Sequence, residues 1–172
     1  MTKKQAFLRM VGIAVIPALG WLLPAALWGQ VASIPAAALY AGLTPAELEL
    51  KAEDLSTSPD RFGEAGDLLE QAGRLMAVED PASVKMMIRA ARLQYFGGSL
   101  EKARASMKEA GWRALGQGQV LTAANAYADA ALIAIEQHDQ AGAVKLVKIV
   151  NLLAQWPGVT SQQAKQIRSR IG

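Results

Sequence analysis

The residues that most often carry enzyme chemistry are scarce in this chain. Its 172 residues include one histidine, His138, and no cysteine. Without cysteine there is no disulfide, no thiolate metal ligand and no thiol nucleophile. Asp139 follows His138, but no other residue stands at a spacing that completes a charge relay or a metal site. We therefore interpret His138 as a solvated residue in a turn between two helices.

Other patterns that bind ions or phosphates are also lacking from the sequence. It contains no glycine-rich phosphate-binding loop and no nucleophile motif. The acidic cluster of Glu47, Glu49, Glu53 and Asp54 has neither the alternating oxygen ligands nor the turn glycine of a calcium loop. Such a cluster is typical of a solvated helix face. We expect a protein that is not an enzyme and that needs no metal and no cofactor.

A stripe of polar side chains is the better candidate for a binding site. Lys85, Arg89 and Arg92 share one face of a predicted helix, at positions i, i+4 and i+7. Asn125 and Asp129 repeat the spacing of Lys85 and Arg89 on a later helix. Two interpretations are open. The stripe binds an acidic segment or a C-terminal carboxylate of a partner protein, or Arg89 pairs with Asp129 on a solvated face.

Charge is distributed unevenly along the chain. Residues 41–80 contain ten acids and three bases, whereas residues 81–172 contain five acids and twelve bases. These net charges of −7 and +7 cancel, so a pI near 9.3 does not indicate nucleic-acid binding. Lys165, Arg168 and Arg170 form a basic end, which is either a solvated cap or a contact with anionic lipid or an acidic partner.

Helices must position all of these side chains. Hydrophobic residues make up 52% of the chain but aromatic residues only 6%, and alanine and leucine supply most of the apolar content, which predicts an all-α fold. Apolar residues at helical spacing, with capping signals such as Thr44 with Glu47, predict seven helices after residue 43. The sixth is expected to be the most buried. The predicted bounds are about 44–55, 60–78, 81–96, 99–115, 119–137, 139–155 and 161–171.

The N-terminal part of the chain has a different character. Residues 10–28 contain no charge, and a helix of that length spans roughly 28 Å, close to the hydrocarbon thickness of a bilayer. Three basic residues in segment 1–9 place the N-terminus in the cytoplasm by the positive-inside rule. Trp21 and Trp28 suit the far interface. Segment 29–43 is then an apolar linker to a helical domain at 44–172. The alternatives are a signal peptide cleaved near residue 38 and a core helix of a cytosolic protein.

The second helix of each predicted pair repeats one pattern. A small residue comes first, then a large apolar residue four positions later, then another apolar residue, and the pattern recurs at nearly equal steps along the chain. The matching residues are Ala65, Leu69 and Ala72; Ala103, Met107 and Ala110; and Ala143, Val147 and Val150. Ala91 and Ala131 stand at the small position of the first helices, and Asp80-Pro81 and Trp156-Pro157 separate the pairs.

This pattern resembles the tetratricopeptide-like helical repeat superfamily, although its steps are longer than the repeat of about 34 residues in that family. The resemblance implies antiparallel helix pairs stacked as a short solenoid, with the last helix as a C-terminal cap. It also implies a groove for a peptide or protein partner, for which Lys85, Arg89, Arg92, Asn125 and Asp129 are the candidate residues.

Together these features predict a scaffold held on the extracytoplasmic side of a bacterial cytoplasmic membrane by one N-terminal helix. We expect it to be an accessory or assembly subunit of an envelope complex, with protein partners, a lipid bilayer around the anchor, and no nucleic acid. The alternative is a soluble binding module secreted to the periplasm after cleavage of a signal peptide.

Overall fold

The computed structural model of the protein describes residues 40–171, and within this range the chain is helical with no strand. Seven α-helices follow one another, with a short 3₁₀ turn at Pro59–Arg61. Their bounds are α1 Pro45–Leu55, α2 Phe62–Leu75, α3 Pro81–Phe96, α4 Leu100–Gly116, α5 Val120–Glu136, α6 Gln140–Leu153 and α7 Ser161–Arg168. The all-α class is therefore confirmed, and so is the number of helices after residue 43.

Helices α1 and α7 begin at capping boxes, as their sequences predict. The Thr44 hydroxyl accepts a hydrogen bond from the Glu47 backbone N–H at 3.4 Å, and the Glu47 carboxylate accepts one from the Thr44 N–H at 2.8 Å. Thr160 and Gln163 form the same pair of bonds at 3.2 and 2.9 Å. Each box satisfies backbone donors that have no partner inside the helix. The hydrogen bond from the Thr44 backbone holds the pKa of Glu47 below its ordinary value.

The turns after α3, α4 and α5 share one geometry. In each turn a residue with positive φ follows the helix: Gly98 at 76°, Gly118 at 71° and His138 at 59°. The next N–H then donates back across the last helical turn at 2.8 Å, from Ser99 to Gln94 and from Asp139 to Ala134. This is the Schellman ending, which favours glycine because a side chain at positive φ crowds the backbone. His138 is exposed, in agreement with its interpretation as a solvated turn residue.

Replacing His138 with glycine is therefore expected to stabilise the fold. A non-glycine residue in the left-handed region costs roughly 1 kcal/mol, so His138→Gly should raise the free energy of unfolding by up to about that amount. Urea unfolding followed by circular dichroism measures the change. His138→Ala is the matched control, because alanine keeps a Cβ at the same φ. Equal stability of the glycine and alanine variants would contradict the assignment of strain to this turn.

Each helix packs against the next along the chain, and the repeated alanines lie at the centre of these contacts. Ala65 and Ala103 are fully buried and Ala143 is almost so, as the repeat pattern predicts. One core cluster lies among α1, α2 and α3, and a second is shared by α3 to α7. The second cluster relies on the alanines of α5, whose small side chains allow neighbouring helices to approach on several sides.

The prediction that the sixth helix is the most buried is wrong. Nine residues of α5 are buried but only four of α6. Leu152 and Val144 of α6 are exposed although both are strongly apolar. Position in the stack contributes to this exposure, because α6 packs on α5 and touches α7, and no further helix among the described residues covers its other side.

Side-chain contacts divide the helices into two layers. Arg89 of α3 reaches back to Glu49 and Glu53 of α1, and Tyr95 of α3 reaches forward to Glu136 of α5. We call the surface of α1, α3, α5 and α7 the odd face. On the other side, Lys102 of α4 contacts Asp67 of α2 at 2.6 Å, and Arg104 of α4 contacts Asp139 at the start of α6 at 2.5 Å. We call the surface of α2, α4 and α6 the even face.

The predicted membrane span at 10–28, with Trp21 and Trp28, lies outside the described residues, as does most of the predicted linker. Within residues 40–171, none of the helices combines the length and the apolar character that crossing a bilayer requires.

Candidate functional site

A depression on the odd face lies between α3 and α5. One part is a cavity of about 430 Å³ and another is a cavity of about 200 Å³ that extends toward the end of α7. Both are lined by Arg92, Met107 and Asp129, so they form one groove, which we call the α3/α5 groove. The remaining lining residues are Ala91, Tyr95, Phe96, Leu132, Ile133 and Glu136 in the first part, and Ile88, Thr122, Asn125, Ala126 and Arg170 in the second.

The groove exists because small residues occupy the facing walls. Ala91 of α3 and Ala126 of α5 are buried, and their methyl groups are too small to fill the space between the two helices. Met107 of α4 comes from the layer below and closes the floor. The same alanine-rich composition that lets α5 pack tightly on α4 and α6 therefore leaves an opening on its solvent side.

One end of the groove is apolar and open to solvent. Phe96 is 69% exposed and Leu132 is 46% exposed, although both are large hydrophobic residues. The ring of Tyr95 stands edge-on to that of Phe96, with centroids 5.6 Å apart and planes at 79°. Clustered apolar side chains left in water are typical of a surface that another molecule covers.

The other end of the groove is polar. Asp129 pairs with Arg170, which comes from the segment just after α7. Arg92 has no carboxylate within 4 Å among residues 40–171 and makes no hydrogen bond to them. Glu136 lies instead in the first part of the groove, where the hydroxyl of Tyr95 donates to it at 2.9 Å, and this bond raises the pKa of Tyr95. Arg92 is thus a groove cation that forms no ion pair with the described residues, although Asp129 and Glu136 line the same groove.

Three of the five predicted site residues meet in this groove and two do not. Arg92, Asn125 and Asp129 line it, whereas Lys85 and Arg89 line neither cavity. Arg89 is held by Glu49 and by Glu53, the latter at 3.3 Å.

The alternative interpretation, a pair between Arg89 and Asp129, is wrong. Glu49, Arg89, Asp129 and Arg170 alternate in charge on the odd face, with 40 residues from the first to the second and 41 residues from the third to the fourth. Arg89 pairs with the preceding member and Asp129 with the following one. The spacing correctly places these charges on one face, but it does not determine the direction in which each finds its partner.

Several groove residues are absent from the sequence-based set, notably Phe96, Leu132 and Arg170. The sequence contains a signal for one of them, because the step from Arg92 to Leu132 equals the step from Lys85 to Asn125. Applying that step to every member of the stripe finds Leu132. Phe96 carries no such signal, since an aromatic residue at a helix end is as consistent with packing as with exposure.

Other regions of the described chain have fewer side chains that could bind a ligand or a metal ion. A cavity of about 520 Å³ lies between the start of α5 and the loop before α7, and none of its lining side chains titrates. No group of three histidine, aspartate or glutamate side chains within residues 40–171 is arranged to hold a metal ion. In the acidic cluster of α1, Glu49 and Glu53 serve as partners of Arg89.

No known protein family, curated protein or solved structure matches this chain. The resemblance to tetratricopeptide-like repeats therefore stays a prediction.

Proposed function

We propose that the protein is a membrane-anchored extracytoplasmic scaffold of tetratricopeptide-like architecture, which assembles an envelope complex by binding a protein segment in the α3/α5 groove. The observation that carries this proposal is the groove itself. It combines exposed Phe96 and Leu132 with Arg92, a cation that the described residues leave without a carboxylate. Apolar anchors beside a small number of placed charges are the usual composition of a recognition site.

The repeat architecture is supported by the regularity of the long-range contacts. Glu49 and Arg89 are 40 residues apart, as are Gly73 and Arg113, whose side chain donates to the Gly73 carbonyl at 2.9 Å. The turns after α3, α4 and α5 have the same backbone bonds. A stack in which each unit contacts its neighbours in one register produces such equal steps.

The shape and charge of the groove limit which protein segments it can bind. Space of 430 and 200 Å³ accommodates a few side chains rather than a whole helical face. A segment with one aromatic or aliphatic anchor on Phe96 and Leu132, and a carboxylate at Arg92, matches these lining residues. The mechanism is passive, because a rigid groove lowers the entropy cost of ordering a partner.

The predicted N-terminal anchor determines where such a scaffold works. If residues 10–28 span the membrane, the mature chain keeps its 18.3 kDa mass and remains with the membrane after washing. If they belong to a cleaved signal peptide, the mature chain begins near residue 38 and is released in soluble form. Intact mass and N-terminal sequencing of the protein from the envelope fraction distinguish the scaffold from the secreted module.

Site-specific photocrosslinking tests the groove directly. A photoreactive residue at Leu132 is expected to give a discrete protein adduct in intact cells, because Leu132 lies inside the groove. Leu50 is the matched control: it is an exposed leucine of α1 on the same face, and it lines neither groove cavity. Arg92→Glu should reduce the Leu132 adduct at least about tenfold, the effect of losing one charged hydrogen bond and gaining a repulsion.

Lys85→Glu makes the same charge change on the same helix but outside the groove, and it should leave the Leu132 adduct unchanged. Adducts of equal yield at Leu132 and Leu50, or equal losses with the two glutamate variants, would refute the groove as the binding site.

A further inference from the structure

The even face carries an exposed pattern that the groove does not use. Trp112 of α4 is 55% exposed and Leu152 of α6 is 66% exposed. Each follows the buried alanine of its helix, Ala103 or Ala143, by nine residues. Nine residues are two and a half helical turns, so Trp112 and Leu152 point away from the core.

A lysine stands one turn before each of these apolar residues. Lys108 precedes Trp112 and Lys148 precedes Leu152 by four residues, and the step between the two pairs equals the step from Ala103 to Ala143. The pairs therefore occupy equivalent places on neighbouring helices of the even face. None of the four residues lines any of the cavities described above, so they belong to an open surface rather than to a cleft.

The pattern is confined to α4 and α6. The equivalent positions of α2, five and nine residues after Ala65, are Glu70 and Arg74. These two side chains form an ion pair at 2.7 Å. At these two positions α2 thus has a neutralised ion pair in place of the lysine and the exposed apolar residue.

The lysines of this pattern form no ion pair within residues 40–171. Lys108, Lys145 and Lys148 have no carboxylate within 4 Å among residues 40–171, whereas the nearby acids are engaged by arginines. Those acids are Glu101 and Asp139, which pair with Arg104, and Glu109, which pairs with Arg113. From residue 140 to residue 172 the sequence holds five basic residues and no acidic residue.

We propose that this surface, formed by Lys108, Trp112, Lys145, Lys148 and Leu152, rests on the anionic surface of a lipid bilayer. Lysines flanking exposed tryptophan and leucine match a headgroup region, where the apolar side chains enter the interface and the ammonium groups meet lipid phosphates. An open surface without a cleft suits a bilayer better than a peptide. The surface is separate from the α3/α5 groove, which opens on the odd face and stays accessible when the even face lies on lipid.

The absence of cysteine in the chain gives a direct test. The full-length protein with Leu152→Cys, labelled with an environment-sensitive fluorophore, is reconstituted into vesicles of phosphatidylcholine with or without phosphatidylglycerol. The probe should move to shorter emission wavelength, and headgroup-labelled quencher lipids should quench it, only in the anionic vesicles. Raised salt should reverse both effects, because they depend on screened charge.

Leu50→Cys, labelled in the same way, is the matched control, since Leu50 is an exposed leucine on the odd face. It should show no lipid-dependent change. Lys108→Gln and Lys148→Gln should each reduce the ratio of embedded to free probe about fivefold, the effect of one basic residue near an anionic surface. These lysines are exposed, and circular dichroism verifies that the variants keep their helicity.

Three results would overturn the proposal. One is equal emission at residue 152 in the anionic and zwitterionic vesicles. Another is equal lipid dependence at residues 50 and 152. The third is a shift at residue 152 that follows the protein-to-lipid ratio rather than the lipid charge, which would assign the surface to contact with a second copy of the chain.

Discussion

Placing an arginine at Ala103 is expected to unfold the helical domain. Ala103 has no exposed surface and belongs to the core cluster shared by α3 to α7. An arginine side chain stays charged at all relevant pH values, so it cannot escape burial by losing its proton. An unpaired charge in such a core costs several kcal/mol or more. The expected loss exceeds about 5 kcal/mol, which is comparable to the whole stability of a domain of this size.

The matched control is Ala105→Arg, two residues along the same helix. Ala105 is exposed, so the same substitution there should change the free energy of unfolding by less than about 0.5 kcal/mol. Circular dichroism of the full-length protein and its urea midpoint measure both effects. A native midpoint for Ala103→Arg would show that the repeated alanine does not lie at the helix contact.

The alanine pattern shows what the sequence predicts well. Ala65, Ala103 and Ala143 are buried where the repeated pattern places them. The pattern predicts this because two helices that cross closely need a small side chain at the crossing point. The starts of α1 and α7 are predicted equally well, because a capping box involves only residues three positions apart in the sequence.

Helix ends that depend on distant partners are harder to predict. The sequence pattern extends the second helix to residue 78, but α2 ends at Leu75 and Met76 is extended. Arg113 of α4 donates to the carbonyls of Gly73 and Met76, at 2.9 and 3.4 Å. Gln117 donates to the Val78 carbonyl at 2.6 Å. The donors to those carbonyls lie near the C-terminal end of α4, about 40 residues away in the sequence. A local sequence pattern therefore cannot predict where α2 ends.

The candidate site could be predicted only in part for a similar reason. Periodicity places Arg92, Asn125 and Asp129 on one surface, because helical spacing and a fixed offset determine which residues share a face. It does not reveal that Arg89 is occupied by Glu49 and Glu53. Ion pairing depends on which neighbouring helix lies within reach, and that is a property of the packed helices.

The exposure of α6 has the same origin. Its composition favours burial, but the number of neighbours depends on where a helix stands in the stack. Since α6 is the last even helix of the described chain, it has fewer neighbours than α5. Leu152 in addition points away from the core, as the equivalent Trp112 does on α4. Exposed apolar residues on the outer side of a stack carry information about function that hydrophobicity alone hides, and the surface around Leu152 and Trp112 is of this kind.

Replacing Gly66 with alanine is expected to lower the free energy of unfolding by about 2 kcal/mol, the usual cost of overpacking a core. A Cβ at Gly66 would lie 2.9 Å from the Ala90 carbonyl oxygen and 2.9 Å from the Gln94 nitrogen. Both are backbone atoms of α3, so the two helices must separate. It would also lie 2.7 Å from Cγ of Gln94, whose side chain is fully buried.

Gln94 makes this site unusually sensitive to movement. Its amide donates to Asp67 at 3.2 Å and to Glu70 at 2.7 Å, and its carbonyl accepts from the Ser106 hydroxyl at 2.8 Å. Displacing Gln94 therefore weakens hydrogen bonds that join α2, α3 and α4. A buried amide that loses its partners keeps the full cost of desolvation.

Gly63→Ala separates this packing effect from helix propensity. Gly63 lies in the same helix, and a Cβ there would meet nothing closer than the Ser99 hydroxyl at 3.6 Å, an ordinary contact. Alanine at a compatible glycine position stabilises by about 0.5 kcal/mol, mostly by restricting the unfolded chain. The two variants should thus change the urea midpoint in opposite directions. Stabilisation by both substitutions would mean that α2 and α3 are not in backbone contact at Gly66.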